Sequence, residues 1–150
     1  MSIKQRLTDD VKAAMLAGDA ARLECLRGLK SVILYAEVAA GKREDGLTDD
    51  EIQVLFAKEA KKRQESADLY VQGGSKERAD KELSEKKIIE EYLPAQLSEE
   101  EITILVEKII TETGVSGPQA MGQVIGKVKA VAGSSADGSV VARIVKEKLS

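Results

Sequence analysis

Apolar residues recur along this chain at steps of three and four, the spacing that puts side chains on one face of an α-helix. Ile3, Leu7, Val11, Ala14 and Met15 form the first such stripe, behind Ser2 and Gln5 in the spacing of a capping box. The stretch "AGD" at 17–19 breaks it, and Asp19 is placed to cap a second helix that runs to Ala40. That helix turns Leu23, Leu26, Leu29, Ile33 and Leu34 inward. The loop "GKREDGL" follows, and Thr48 with Glu51 forms another capping box. A third helix carries Ile52, Leu55, Phe56, Ala60, Ala67 and Tyr70, until "GGS" at 73–75 stops it. A fourth, from Lys76 to Tyr92, presents Ala79, Leu83, Ile88, Ile89 and Tyr92.

The strongest boundary is "EYLPAQLSEEEI" at 91–102. Pro94 drives Leu93 out of helical geometry, and Ser98 with Glu101 opens a new helix through a third capping box. Its stripe is Ile102, Leu105, Val106, Ile109 and Ile110, and Gly114 ends it. Pro118 suits the first turn of a sixth helix, which Gly133 closes. Asp137 can cap a seventh, with Val140, Val141, Ile144, Val145 and Leu149 inward. No strand pattern and no fixed-period repeat competes with this plan. The expectation is an all-α chain: a four-helix N-terminal domain over 1–93, a hinge at 94–97, and a small three-helix bundle over 98–150.

Composition narrows the chemistry. The 150 residues include no histidine and one cysteine, so Ser-His-Asp and Cys-His triads and Cys/His zinc sites lack their parts. Cys25, in "RLECLRGL", reads as a buried small hydrophobe. No catalytic residue, metal ligand or cofactor site is expected. The acidic stretch "EDGLTDDE" at 44–51 lacks the alternating oxygens of a calcium loop, and its capping box accounts for Thr48 to Glu51. No apolar run approaches the roughly 18 residues of a membrane span, and the N-terminus has no signal-peptide core. A cytoplasmic protein without a membrane partner is expected.

Charge separates the chain's end from the rest. The net charge is −3, yet residues 122–150 hold Lys127, Lys129, Arg143, Lys146 and Lys148 against Asp137 and Glu147. These cations form either a solvated face or a phosphate-contacting patch. Within "MGQVIGKVKA" at 121–130, Gly122 and Gly126 share a helical face, although each glycine costs a helix about 1 kcal/mol relative to alanine. Close packing by a neighbouring helix and close approach by a ligand both explain such a pair. The reading taken is packing around Gly126, with Gly122 exposed beside the basic patch. Elsewhere, "KEAKKRQES" at 58–66 pairs Glu59 with Arg63 and Lys61 with Glu65 at four-residue steps, a solvated face.

Four stretches carry a family resemblance: "DDVKAAMLAGDAARLECLRGLKSVI" (9–33), "KRQESADLYVQGG" (62–74), "EYLPAQLSEEEI" (91–102) and "MGQVIGKVKA" (121–130). They resemble the YqeY family of small bacterial all-α proteins, over essentially the whole chain. Gly74 and Ile125 depart from its pattern, which has a basic residue and a methionine there. The C-terminal part is similar to the tail domain of the B subunit of the aminoacyl-tRNA amidotransferase. The resemblance implies a tRNA-binding or tRNA-metabolism accessory protein, with tRNA or an amidotransferase as partner. It places the RNA contact on Gly122, Lys127, Lys129, Arg143, Lys146 and Lys148. The family label is carbon–nitrogen ligation with glutamine as amido donor. The catalytic machinery of that enzyme lies outside its tail and does not map here, so whether this chain is an enzyme stays open. Two other readings stand beside this one. One is a helical protein-interaction module without catalysis, whose long N-terminal helices expose an apolar groove. The other is an enzyme, alone or as a subunit of a ligase.

Overall fold

A computed structural model describes residues 1–150. It is all-helical: α1 (Ile3–Ala17), α2 (Ala20–Ala39), α3 (Asp49–Gln72), α4 (Lys76–Glu90), α5 (Glu99–Thr113), α6 (Met121–Ala132) and α7 (Gly138–Leu149). Single 3-10 turns occupy Pro118–Ala120 and Gly133–Ser135. None of the helices is long and apolar enough to cross a membrane. The chain divides into two compact units, Met1–Leu93 and Pro94–Ser150.

The local signals act as their chemistry dictates. The side chains of Ser2, Asp19, Thr48, Ser98 and Asp137 each accept a hydrogen bond from the backbone N–H two or three residues on. The Thr48–Glu51 and Ser98–Glu101 boxes are reciprocal, whereas Ser2 is bonded from the Gln5 N–H alone. Two boundaries differ from the sequence expectation. α4 stops at Glu90, and Tyr92 sits in the turn beyond it. Pro118 opens a 3-10 turn, and α6 proper starts at Met121.

In the first unit α1 packs on α2 and α3 on α4, and α2 reaches both α3 and α4. The core is Leu7, Leu26, Leu29, Ile33, Ile52, Phe56 and Ile89, closed by Tyr92. Tyr92 is 3% exposed and meets Phe56 edge-to-face, with ring centroids 5.9 Å apart. Its hydroxyl donates to the Asp10 carboxylate, and the Arg6 guanidinium lies 4.6 Å from its ring centroid. Burial, reinforced by Asp10, pushes the Tyr92 phenol well above its ordinary range. The charges of "KEAKKRQES" do more than coat a surface. Arg63 reaches Glu82 at 3.3 Å and Glu85 at 3.2 Å on α4, not Glu59 on its own helix. Met15 and Leu34, expected inward, are 55% and 46% exposed, because the α1–α2 pair has no third helix over that flank. Cys25 is half-buried, and desolvation pushes its thiol up to about 11.

One buried charge organises the first unit. Glu37 is 5% exposed, and its Oε2 accepts from Lys4 Nζ of α1 at 2.5 Å and from the Leu47 N–H at 2.9 Å. The Lys4 ammonium and the Leu47 N–H hold this carboxyl below the usual glutamate range. Gly46 lies against the pair at φ +77°, where an added Cβ would stand 3.0 Å from both Glu37 Oε2 and Lys4 Nζ. The α2–α3 loop therefore needs glycine at 46 for conformation and for space.

The second unit has no aromatic residue. Each of α5, α6 and α7 packs on the other two. Ile102, Val106, Val124, Val128, Val141, Ile144 and Val145 fill its centre, all at most 2% exposed. The Leu97 N–H donates to the Ser135 carbonyl at 2.7 Å and Gln96 Nε2 to the Ser134 carbonyl at 2.8 Å, so the unit's first residues are tied to the α6–α7 turn.

Two outcomes follow for the first unit. Because the Glu37 carboxyl is held below its ordinary value of about 4.3, its contribution is complete above that pH and is lost as pH falls through the lowered value. Urea midpoints of wild type and Glu37→Gln are therefore well separated at pH 7 and converge toward pH 3; a constant gap contradicts the assignment. Gly46→Ala destabilises by about 1–2 kcal/mol from the left-handed backbone alone, read as a lower urea midpoint; an unchanged midpoint contradicts the account of the loop.

Candidate functional site

α6 is amphipathic in an unusual way. Its inner stripe, Val124 and Val128, is wholly buried, with Met121 and Ile125 half-buried beside it. Its outer stripe is Gly122, Gly126 and Ala130, all exposed. A methyl group added at Gly122 or Gly126 would find nothing within 4 Å. The expected packing around Gly126 is thus absent: α5 and α7 take the valine side, and neither glycine serves the interior. Two bare positions are kept in a 12-residue helix where alanine would fit and favour the helix.

A shallow groove of about 390 Å³ runs beside the glycines. Ile109, Glu112 and Thr113 of α5 form one wall; Gln123, Lys127, Ala130 and Val131 of α6 form the other. The α6 wall follows i, i+4, i+7, i+8 spacing and adjoins the glycine stripe, because residues four apart lie one turn along the same face. Val131 is 69% exposed, an aliphatic side chain at the groove's edge. The Thr113 hydroxyl donates to the Ile109 carbonyl of its own helix at 2.8 Å, so it is bonded to backbone and not to a base. The geometry offers a surface for contact.

The cations named from the sequence divide into two sets. The ion pairs of this unit are Lys108–Glu112, Arg143–Glu99, Arg143–Glu147 and Lys148–Glu107. Arg143 and Lys148 therefore clamp α7 to α5, Lys148 at 2.7 Å from Glu107. The Glu99 carboxylate beside Arg143 raises that guanidinium's pKa further. Lys127, Lys129 and Lys146 are exposed and take part in no ion pair. Of the six predicted residues, Gly122, Lys127 and Lys129 share α6, Lys146 stands on α7, and Arg143 and Lys148 are engaged in holding the bundle. Gln123, Ala130 and Val131 were missed. Their signal was present as a second helical face, with Val131 off the core stripe.

The relatives of this chain revise the functional expectation. It is 32% identical over 125 residues to a Kluyveromyces lactis protein named altered inheritance of mitochondria protein 41, mitochondrial, covering 81% of this chain and 66% of that protein. The protein of the same name from Lachancea thermotolerans is 33% identical over 115 residues, covering 75% of this chain and 60% of that protein. The chain thus spans less than two thirds of the curated relatives it matches. Both names state a mitochondrial protein, which contradicts the cytoplasmic expectation, and both relatives are yeast proteins, so they lend the bacterial setting no support. Neither name carries amidotransferase, ligase or tRNA chemistry, and the implied tRNA-accessory role is overturned with them. Arg143 and Lys148, two of the six residues expected on RNA, are paired with carboxylates of α5. The motif resemblance itself holds: the model of the family described as Yqey-like protein matches residues 4–149, and the chain belongs to that family.

Proposed function

We propose that this chain is a protein-docking module whose C-terminal unit receives a partner's polypeptide along the outer face of α6. The observation that carries the reading is the open space over Gly122 and Gly126. Nothing inside the unit requires these glycines, while a partner backbone approaching α6 does. The adjoining groove supplies apolar contact at Ile109, Ala130 and Val131, and Lys127 and Lys129 supply charge for acidic groups on the partner. A docked helix or strand edge fits this mixture of bare backbone, shallow apolar floor and flanking cations.

In the same reading, α1–α4 form one folding domain and α5–α7 a separate three-helix bundle, joined at 94–97. The two hydrophobic clusters support this, since one draws all its members from 3–93 and the other from 97–149. A fragment of residues 94–150 is then expected to show a cooperative thermal transition by circular dichroism. A fragment without helical signal contradicts separate folding.

The docking face separates stability from binding. Gly122→Ala and Gly126→Ala each stabilise the chain by about 0.4–1 kcal/mol, read as a raised urea midpoint, because the added methyl meets open space. Binding falls in the same variants. A benzophenone photocrosslinker at Gln123 in the source cells is expected to give a discrete protein adduct, which Gly126→Leu abolishes; the same probe at Lys58 does not give that adduct. Identical adducts from both positions, or an adduct that survives Gly126→Leu, overturn the reading.

A further inference from the structure

The first unit carries a second groove, independent of the α6 face. α1 and α2 run antiparallel, joined at Gly18–Asp19, with Lys4 meeting Glu37 at one end and Met15 lying 3.9 Å from Arg27 at the other. The outer side of their seam is a groove of about 320 Å³. Leu7 and Ile33 floor it and Leu34 stands half-exposed on its wall. One turn along α2, Val38 is 56% exposed, and Tyr35 beside Leu34 is 75% exposed. Single exposed apolar side chains are ordinary, but Leu34 of the groove wall and Val38 are one turn apart on α2, and Tyr35 lies one turn before Val38, so the three carry apolar surface outward from the groove's edge.

The charges around the patch favour one occupant. The carboxylate lining the groove, Glu37, is already matched by Lys4 at 2.5 Å. Lys30 on the lip and Arg27 three residues before it enter no ion pair. Among the residues lining the groove, Lys4 and Glu37 offset each other and Lys30 is left, so the lining carries a net positive charge. The α2 wall of the groove, from Lys30 to Glu37, spans about 10 Å at 1.5 Å per residue, the length of two turns of a docked helix. A symmetric second copy would bring the same uncompensated positive rim to the contact and no added carboxylates. A flat bilayer does not reach the floor at Leu7 and Ile33. We propose that the α1–α2 groove docks an acidic amphipathic helix of a partner protein, its apolar residues at i, i+3, i+4 and i+7 on Leu34, Tyr35 and Val38 and its carboxylates toward Arg27 and Lys30.

The test is a display library of random 16-residue peptides panned on the full chain. Enrichment of peptides with helically spaced Leu, Ile, Phe or Met and net negative charge is expected. The best of them, fluorescein-labelled, loses affinity by about tenfold or more with Leu34→Glu plus Val38→Glu. Lys30→Glu weakens it and strengthens a version with its acids changed to lysine. Tyr35→Glu, at the most exposed of the three positions, gives the same loss with no effect on the circular dichroism spectrum. No enrichment, enrichment of basic sequences, or binding indifferent to these variants overturns the proposal. So does a concentration-dependent dimer in sedimentation that Tyr35→Glu dissolves, which assigns the face to a second copy. Flotation with phosphatidylglycerol vesicles that Tyr35→Glu abolishes assigns it to lipid and overturns it equally.

Discussion

In the second unit each of α5, α6 and α7 packs on the other two, and everything distinctive about the unit follows from how α6 meets its neighbours. Val124 and Val128 turn inward and are wholly buried against α5 and α7. No fourth helix covers the opposite side. That side would ordinarily be long, charged and helix-favouring. Here it is Gly122, Gly126 and Ala130, with Lys127 and Lys129 alongside. Intrinsic preference and internal packing both argue against glycine at these positions, so local and global demands conflict there. Such conflicts in natural sequences mark functional surface more often than error.

The first unit solves a different problem. Its helices must pack with few aromatic residues, and it recruits polar groups to fix their register. Glu37, nearly excluded from water, joins α1, α2 and the α2–α3 loop through Lys4 and Leu47. Arg63 joins α3 to α4 through Glu82 and Glu85. Tyr92 joins α1 to the end of the unit through Asp10 and Arg6. These contacts are geometrically demanding, and because Lys4 and Arg63 are part-exposed, solvent screening makes them contribute more to register than to stability. No third helix covers the outer α1–α2 flank, and Met15 and Leu34 face water there.

Much of this was legible in the sequence. Caps at Ser2, Asp19, Thr48, Ser98 and Asp137 fixed the helix starts, because capping is local chemistry between residues two or three apart. The all-helical class followed from apolar spacing. Tertiary pairing was not legible. Arg63 has an acid four residues before it, and nothing in the sequence says that it reaches across to α4 instead. For the same reason Arg143 and Lys148 read as free cations, though their partners Glu99 and Glu107 lie some forty residues upstream. The glycine face was visible as a pattern, but its openness depends on where α5 and α7 sit. Function was least legible, since the tail likeness suggested tRNA and the relatives carry a mitochondrial name.

The central claim is that the outer face of α6 is covered by a protein partner where the chain works. Cysteine accessibility tests it directly, because the native Cys25 thiol, pushed up to about 11 and half-buried, contributes little background. A cysteine at Ala130, compared with one at Lys58, would be labelled with maleimide in the purified chain and in the source cells. The account predicts that both label readily when purified and that only the Ala130 position is protected in cells. Equal labelling of the two positions in cells would contradict it.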